Sequence, residues 1–160
     1  MSILRQWKTM GIIGWSLVMA LTAILGLAPP ALGGDWLPFR GHADEMRTAA
    51  EEKDDGLHVT ATGTGQATYL GRFTREAHVI VHADGSAEGS VVFTAANADQ
   101  LFAKIKGEPI PGTTVPTVGG TYTFTGGTGR FSDASGGAYF VAVFAPDGSP
   151  AVDFGGIIQY

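Results

Sequence analysis

Three Asp-Gly pairs punctuate this chain, at Asp55-Gly56, Asp84-Gly85 and Asp147-Gly148, and around them apolar residues recur at every second position. Asp tolerates turn geometry and Gly supplies a positive φ, so each pair between β-rich runs signals a hairpin. A period of two does not build the apolar stripe of a helix. From Leu57 onward the chain reads as strands joined by turns.

Register tests the central hairpin. With Ala83-Asp84-Gly85 as a three-residue loop and Gly85 left-handed, His82 faces Ser86, Val81 faces Ala87, Val79 faces Gly89, Ala77 faces Val91 and Arg75 faces Phe93. One face then carries Phe73, Ala77, Val79, Val81, Val91 and Phe93. The other carries Glu76, His78, His82, Glu88 and Ser90. A two-residue loop would set Val81 against Glu88, so the buried face selects the longer loop.

Other runs alternate in the same way. Val59, Ala61, Gly63, Gly65, Ala67 and Tyr69 share one face, against Thr60, Thr62 and Thr64. Leu101, Ala103 and Ile105 read inward, as do Val118, Tyr122 and Phe124, and then Val152, Phe154, Ile158 and Tyr160. "GAYFVAVF" is apolar on both faces. We assign Tyr139, Val141 and Val143 to the interior and Phe140 and Phe144 to the exterior. "GEPIPGTTVP", residues 107–116, carries three prolines and reads as a loop across one barrel mouth. Residues 41–53 stay open between two readings: "DEMRTAAEEK" has helix-forming composition, yet Asp54-Asp55-Gly56 behind it reads as the turn after a first strand. About eight short antiparallel strands, with small residues on inward faces, imply an all-β closed barrel.

The first 33 residues do not belong to that barrel. Arg5 and Lys8 precede an uncharged apolar run at 11–27, and "APPALGG" follows with Ala31 and Gly33 at cleavage-site spacing. This is the order of a secretory signal helix, placing a single domain at 34–160 and the mature protein outside the cell or in the envelope. The alternative is an uncleaved anchor at 11–27. Seventeen residues reach roughly 25 Å, short of the ~30 Å hydrocarbon core. Cleavage leaves no membrane contact. It also removes 2 of the 10 basic residues, leaving 8 against 15 acidic, a formal −7. Without a Lys/Arg cluster, nucleic acid is not an expected partner. The absence of cysteine excludes disulfides and thiolate metal sites.

Candidate chemistry is sparse. His78 and His82 on one strand sit about 13 Å apart, too far for one ion, and read as surface residues, so no metal site or cofactor is assigned. Glu45, Glu51, Glu52, Asp54 and Asp55 read as a solvated acidic run. No G-x-S-x-G motif or cysteine nucleophile is present, and no catalytic residue is assigned. Arg75 falls on the apolar face, where it needs a carboxylate, a bound anion or a place at the barrel rim; the rim is our expectation. Tyr69, Tyr122, Tyr139 and Tyr160 also read inward. With Arg75, the first three are the candidates for contact with a small apolar ligand.

"TGGTGRFSDASGG", residues 125–137, holds glycines enough for a phosphate cradle. It lacks the lysine of a P-loop and the third glycine of a dinucleotide fingerprint. It reads instead as a corner between strands with Phe131 tucked inward. "YTFTGGTGRFSDASGGAYF", taken in order with "GTGQATYLGRFT" and "VVFTAANADQLFA", resembles the allene oxide cyclase and dirigent barrel superfamily, in particular bacterial secreted proteins described as allene oxide cyclase barrel-like. The resemblance spans about 37–160. It implies an eight-stranded antiparallel barrel with an apolar interior and a homo-oligomer, a trimer in plant members, with Phe102, Phe140 and Phe144 suited to the interface. Dirigents commonly carry arginine after the corner, in an Ala-Arg-Gly context; Ala134-Ser135-Gly136 puts Ser135 there.

Two functions follow. One is a non-catalytic exported barrel, holding a small apolar ligand or serving as an interaction module. The other is a cyclase-, isomerase- or dirigent-type enzyme working in the barrel. An enzyme needs a titratable group inside. The inward set holds only Arg75 and tyrosines, which favours the first; a buried Glu76 or Asp133 beside a cavity would favour the second.

Overall fold

The computed structural model describes residues 35–160; the signal helix and the boundary at residue 33 lie outside the described residues. Eight strands follow in chain order: β1 (Leu37–Lys53), β2 (Gly56–Ala67), β3 (Gly71–Val81), β4 (Ala87–Ala95), β5 (Gln100–Pro109), β6 (Thr117–Gly127), β7 (Ser135–Phe144) and β8 (Pro150–Gln159). Each pairs antiparallel with its neighbours, and β8 returns to β1 to close the barrel. Residues 41–53 are therefore strand. Their helix-forming composition yields to pairing with β2 along the whole stretch, joined by β8 as far as Asp44, because unpaired strand edges would leave backbone groups unmet.

The central hairpin has the register deduced above, with Val81 opposite Ala87, Val79 opposite Gly89 and Arg75 opposite Phe93. Gly85 carries φ 83° in the turn. One assignment is reversed. Tyr139 is 77% exposed and Val141 and Val143 point outward with it, while Phe140 is buried and Phe144 packs against the core. A strand apolar on both faces leaves its orientation to its neighbours. Phe140 turns in because Gly120 of β6 leaves it room: a Cβ at Gly120 would sit 2.6 Å from the ring. The ring then stacks on Tyr122 at 4.8 Å. Phe102, by contrast, is outward and half-buried as read.

Side-chain size divides the interior. Toward one end Phe39, Phe73, Phe93, Phe124 and Phe154 interlock. Their ring centroids lie 5.0–6.3 Å apart, mostly edge-on or tilted, as aromatic quadrupoles favour. The glycine-rich corner seals this end. A short 3-10 turn, Gly129–Phe131, drops Phe131 to 0% exposure, against Tyr160 at 5.1 Å. Arg130 ties the corner down by donating to the Tyr69 carbonyl at 2.7 Å. Toward the other end the inward residues shrink to Ala61, Ala77, Val79, Ala87 and Ala142, and the barrel stays open. The loop at 110–116 borders that mouth through Ile110, Thr113 and Pro116.

The closing seam between β1 and β8 carries a charge cluster on its outer side. His42 Nδ1 lies 2.9 Å from Asp153, its partner across the seam, and Nε2 lies 3.3 Å from Asp44. The hydrogen bond to Asp153, reinforced by both negative charges, raises the His42 pKa above its ordinary value. The protonated ring is thus held more tightly in the folded chain. Its contribution is complete below about pH 6.5, the unfolded-state value, and fades as pH rises through the folded-state value. Urea unfolding of wild type and His42→Gln between pH 5 and 8 should show a stability difference largest at the acid end; a difference growing with pH would contradict this.

Candidate functional site

The floor of the open half is built by one row of residues in register across four strands: Glu45 of β1, Gly63 of β2, Arg75 of β3 and Phe93 of β4. All four point inward. Glu45 and Arg75 lie on either side of β2 and meet over Gly63, Arg75 Nη1 against Glu45 Oε1, with side-chain exposures of 4% and 3%. Any side chain at Gly63 would block the bridge, since its Cβ would collide with the Asp44 carbonyl oxygen and lie 2.7 Å from Glu45 Cγ.

Arg75 Nη2 donates to the Tyr122 hydroxyl oxygen at 2.9 Å. The guanidinium also lies over the Phe93 and Tyr122 rings, 5.7 and 5.6 Å from their centroids. Burial lowers the Arg75 pKa, opposed by Tyr122. Arginine starts so high that it keeps its charge. Burial raises the Tyr122 pKa, opposed by Arg75, so the phenol stays protonated at neutral pH. Because its oxygen accepts from Arg75, its own proton is left to donate. Arg75 Nε is buried without a hydrogen-bond partner among the described residues. The polar surplus at the floor is therefore a set of donors beside a carboxylate.

Above this floor lies a cavity of about 480 Å³. Its wall is almost entirely apolar, with Val59, Ala77, Val79, Val118, Phe140 and Val152 among its residues. Volume, an apolar wall and a few convergent polar groups are the marks of a small-molecule site.

Of the four residues read as ligand contacts, the structure brings two together. Arg75 and Tyr122 form the floor. Arg75 does not stand at the rim; a carboxylate inside the barrel meets its charge instead. Tyr69 sits at the closed end, in the turn after β2, its ring 5.7 Å from Tyr160. Tyr139 is on the outer wall. Glu76 and Asp133 are both solvent-exposed.

Glu45 is the residue that sequence reasoning missed, having placed it in a solvated acidic run. A β-bulge hides it. Counting back from Lys53 opposite Gly56, an unbroken ladder would set Glu45 against Thr64, on the outer face. The register slips by one between Arg47 and Ala49, which sets Glu45 against Gly63 and turns it in. The extra residue, Thr48, donates its hydroxyl to the Thr60 carbonyl at 3.2 Å.

The histidines all lie on the outer wall with separate carboxylates: His58 with Asp55 at 2.7 Å, His78 with Glu76 at 2.8 Å and His82 with Glu88 at 3.7 Å, besides His42. Among the described residues no group of three or more ligating side chains could hold a metal ion.

Among solved structures, the chain is similar to a pterocarpan synthase dirigent protein, at 14% identity and a TM-score of 0.51, over 87% of this chain and 98% of that one. The likeness is one of fold. A protein of unknown function from Clostridium acetobutylicum also aligns, at 12% identity and a TM-score of 0.47, over 77% of this chain and 96% of that one. No protein-family model matches the chain, and no curated protein does. The dirigent-type barrel expected from the glycine corner and the two segments before it is thus present as architecture.

Removing one partner of a buried ion pair strands the other charge, at a cost of about 3–5 kcal/mol, whereas an apolar replacement of both can be neutral. Urea unfolding should therefore find Arg75→Met severely destabilised and Glu45→Leu/Arg75→Met closer to wild type than either single variant. Additive losses would mean that the two side chains do not share one site.

Proposed function

We propose that this chain is exported and binds a small apolar molecule in the open half of its barrel. The observation that carries the reading is the apolar cavity of about 480 Å³ ending on Glu45, Arg75 and Tyr122. An apolar guest exchanges water for the wall, worth roughly 25 cal/mol per Å² of apolar surface buried. One acceptor on that guest can receive a hydrogen bond from the Tyr122 hydroxyl, which fixes its orientation. The basic start, apolar run and small-residue site in the first 33 residues support export, and mass spectrometry of protein from the exporting cell tests their removal.

A second reading has its own support. Glu45 supplies the interior titratable group that catalysis requires, next to a protonated phenol and an arginine. That set suits an isomerase- or cyclase-type reaction on the bound molecule. Glu45→Gln separates the readings when compared per folded molecule, since it strands the Arg75 charge and lowers stability in either case: the folded variant loses turnover in an enzyme and keeps most of a pure binder's occupancy.

The homo-oligomer implied by resemblance must also change its surface. Phe140 and Phe144 are turned inward. Tyr139, Val141 and Val143 of β7 with Ile157 of β8 form the exposed apolar face on which a second copy would pack. Light scattering of Tyr139→Glu should show a smaller assembly than wild type.

Binding is measured with the uncharged fluorophore N-phenyl-1-naphthylamine, whose emission rises in apolar surroundings. Wild type should bind it saturably, and Val79→Phe, which fills the cavity, should lose at least tenfold in affinity. Equal binding by both proteins would place the probe outside the barrel and remove the basis of the proposal.

A further inference from the structure

The cavity carries a charge that the floor does not use. Three charged side chains line it: Glu45, Arg75 and Arg47. The first two neutralise each other. Arg47 is two residues nearer the mouth on β1, about 6–7 Å along the strand, and the bulge that turns Glu45 inward turns Arg47 onto the same wall. It is exposed to solvent, and no carboxylate lies within ion-pair distance of it among the described residues.

A neighbouring acidic turn makes no ion pair with it. Arg47 lies beside Gly148, at 3.6 Å from the position a Cβ would take there. The neighbouring Asp147 carboxylate accepts instead from the Ser149 N–H at 2.9 Å and the Ser149 hydroxyl at 2.5 Å. The cavity wall thus has a net charge of +1 in a chain whose net charge is −5. The unpaired positive charge stands at the wet end, and the charge-balanced Glu45–Arg75 pair with Tyr122 at the dry end.

We infer that the guest is an amphiphile: an apolar body held in the barrel and one anionic group at its solvent end, selected by Arg47. This rests on the binding reading above and assigns a specificity-determining role to a residue outside the floor. An anion carried to the floor would meet Glu45 and bury a net negative charge, which the dry site penalises. At the mouth the same anion keeps part of its hydration and gains the guanidinium. The gain is that of a partly exposed ion pair, threefold to fivefold in affinity on the order of magnitude known for such pairs, and it is screened by salt.

Two fluorophores that differ by a single sulfonate test this: 8-anilinonaphthalene-1-sulfonate and uncharged N-phenyl-1-naphthylamine. Wild type should bind the sulfonate about threefold to fivefold more tightly at low salt, with the preference lost near 1 M salt. Arg47→Gln should abolish the preference while shifting the affinity for the uncharged probe less than about twofold, and Arg47→Lys should keep it. No preference in wild type, or a preference that survives Arg47→Gln, overturns the inference and leaves the binding reading standing. If neither probe binds, the binding reading fails and the inference falls with it.

Discussion

The ion pair between Glu45 and Arg75 organises the barrel's interior. It spans a strand, closing over Gly63, and so ties β1 to β3 across β2. Taking two charges out of water costs several kcal/mol each, and their attraction in a low-dielectric interior does little more than offset that. The pair's importance is therefore positional. It places donors and a carboxylate at one depth in an otherwise apolar tube. Arg75 also orients Tyr122, whose ring stacks on Phe140 and meets Phe93 edge-on.

On one side of this layer the barrel is filled, and on the other it is open. Phenylalanines interlock below it, with Phe131 as the plug and Arg130 and Asp99 fastening the corner that carries it. Alanines and valines stand above it, too short to meet across the tube. A sealed void of that size would cost roughly 11 kcal/mol at ~24 cal/mol per Å³, comparable with the whole stability of a domain. An opening at the mouth, with Arg47 beside it, connects the space to solvent instead.

Much of this was legible in the residues. The β3–β4 register followed from separating apolar from polar faces, and the corner's role followed from what its glycines lack as a phosphate loop. Tyr122 was found because Val118 and Phe124 share its alternation. Tyr139 was misplaced because both faces of β7 are apolar, so alternation held but its absolute sense did not. Glu45 was lost for a different reason: its neighbours Glu51, Glu52, Asp54 and Asp55 are solvated, and composition assigned it to their company.

By itself the sequence determined the strands, the turns between them, the closed antiparallel architecture and the inward position of Arg75. Period-two alternation and turn chemistry are local properties, and they suffice for that. Only the tertiary structure decided what Arg75 would meet. One bulge at Thr48 reverses the facing of the strand before it, bringing Glu45 to the floor and Arg47 to the mouth. A bulge is chosen by how a strand fits the neighbour it pairs with, β2 here, and no short stretch of residues contains that information.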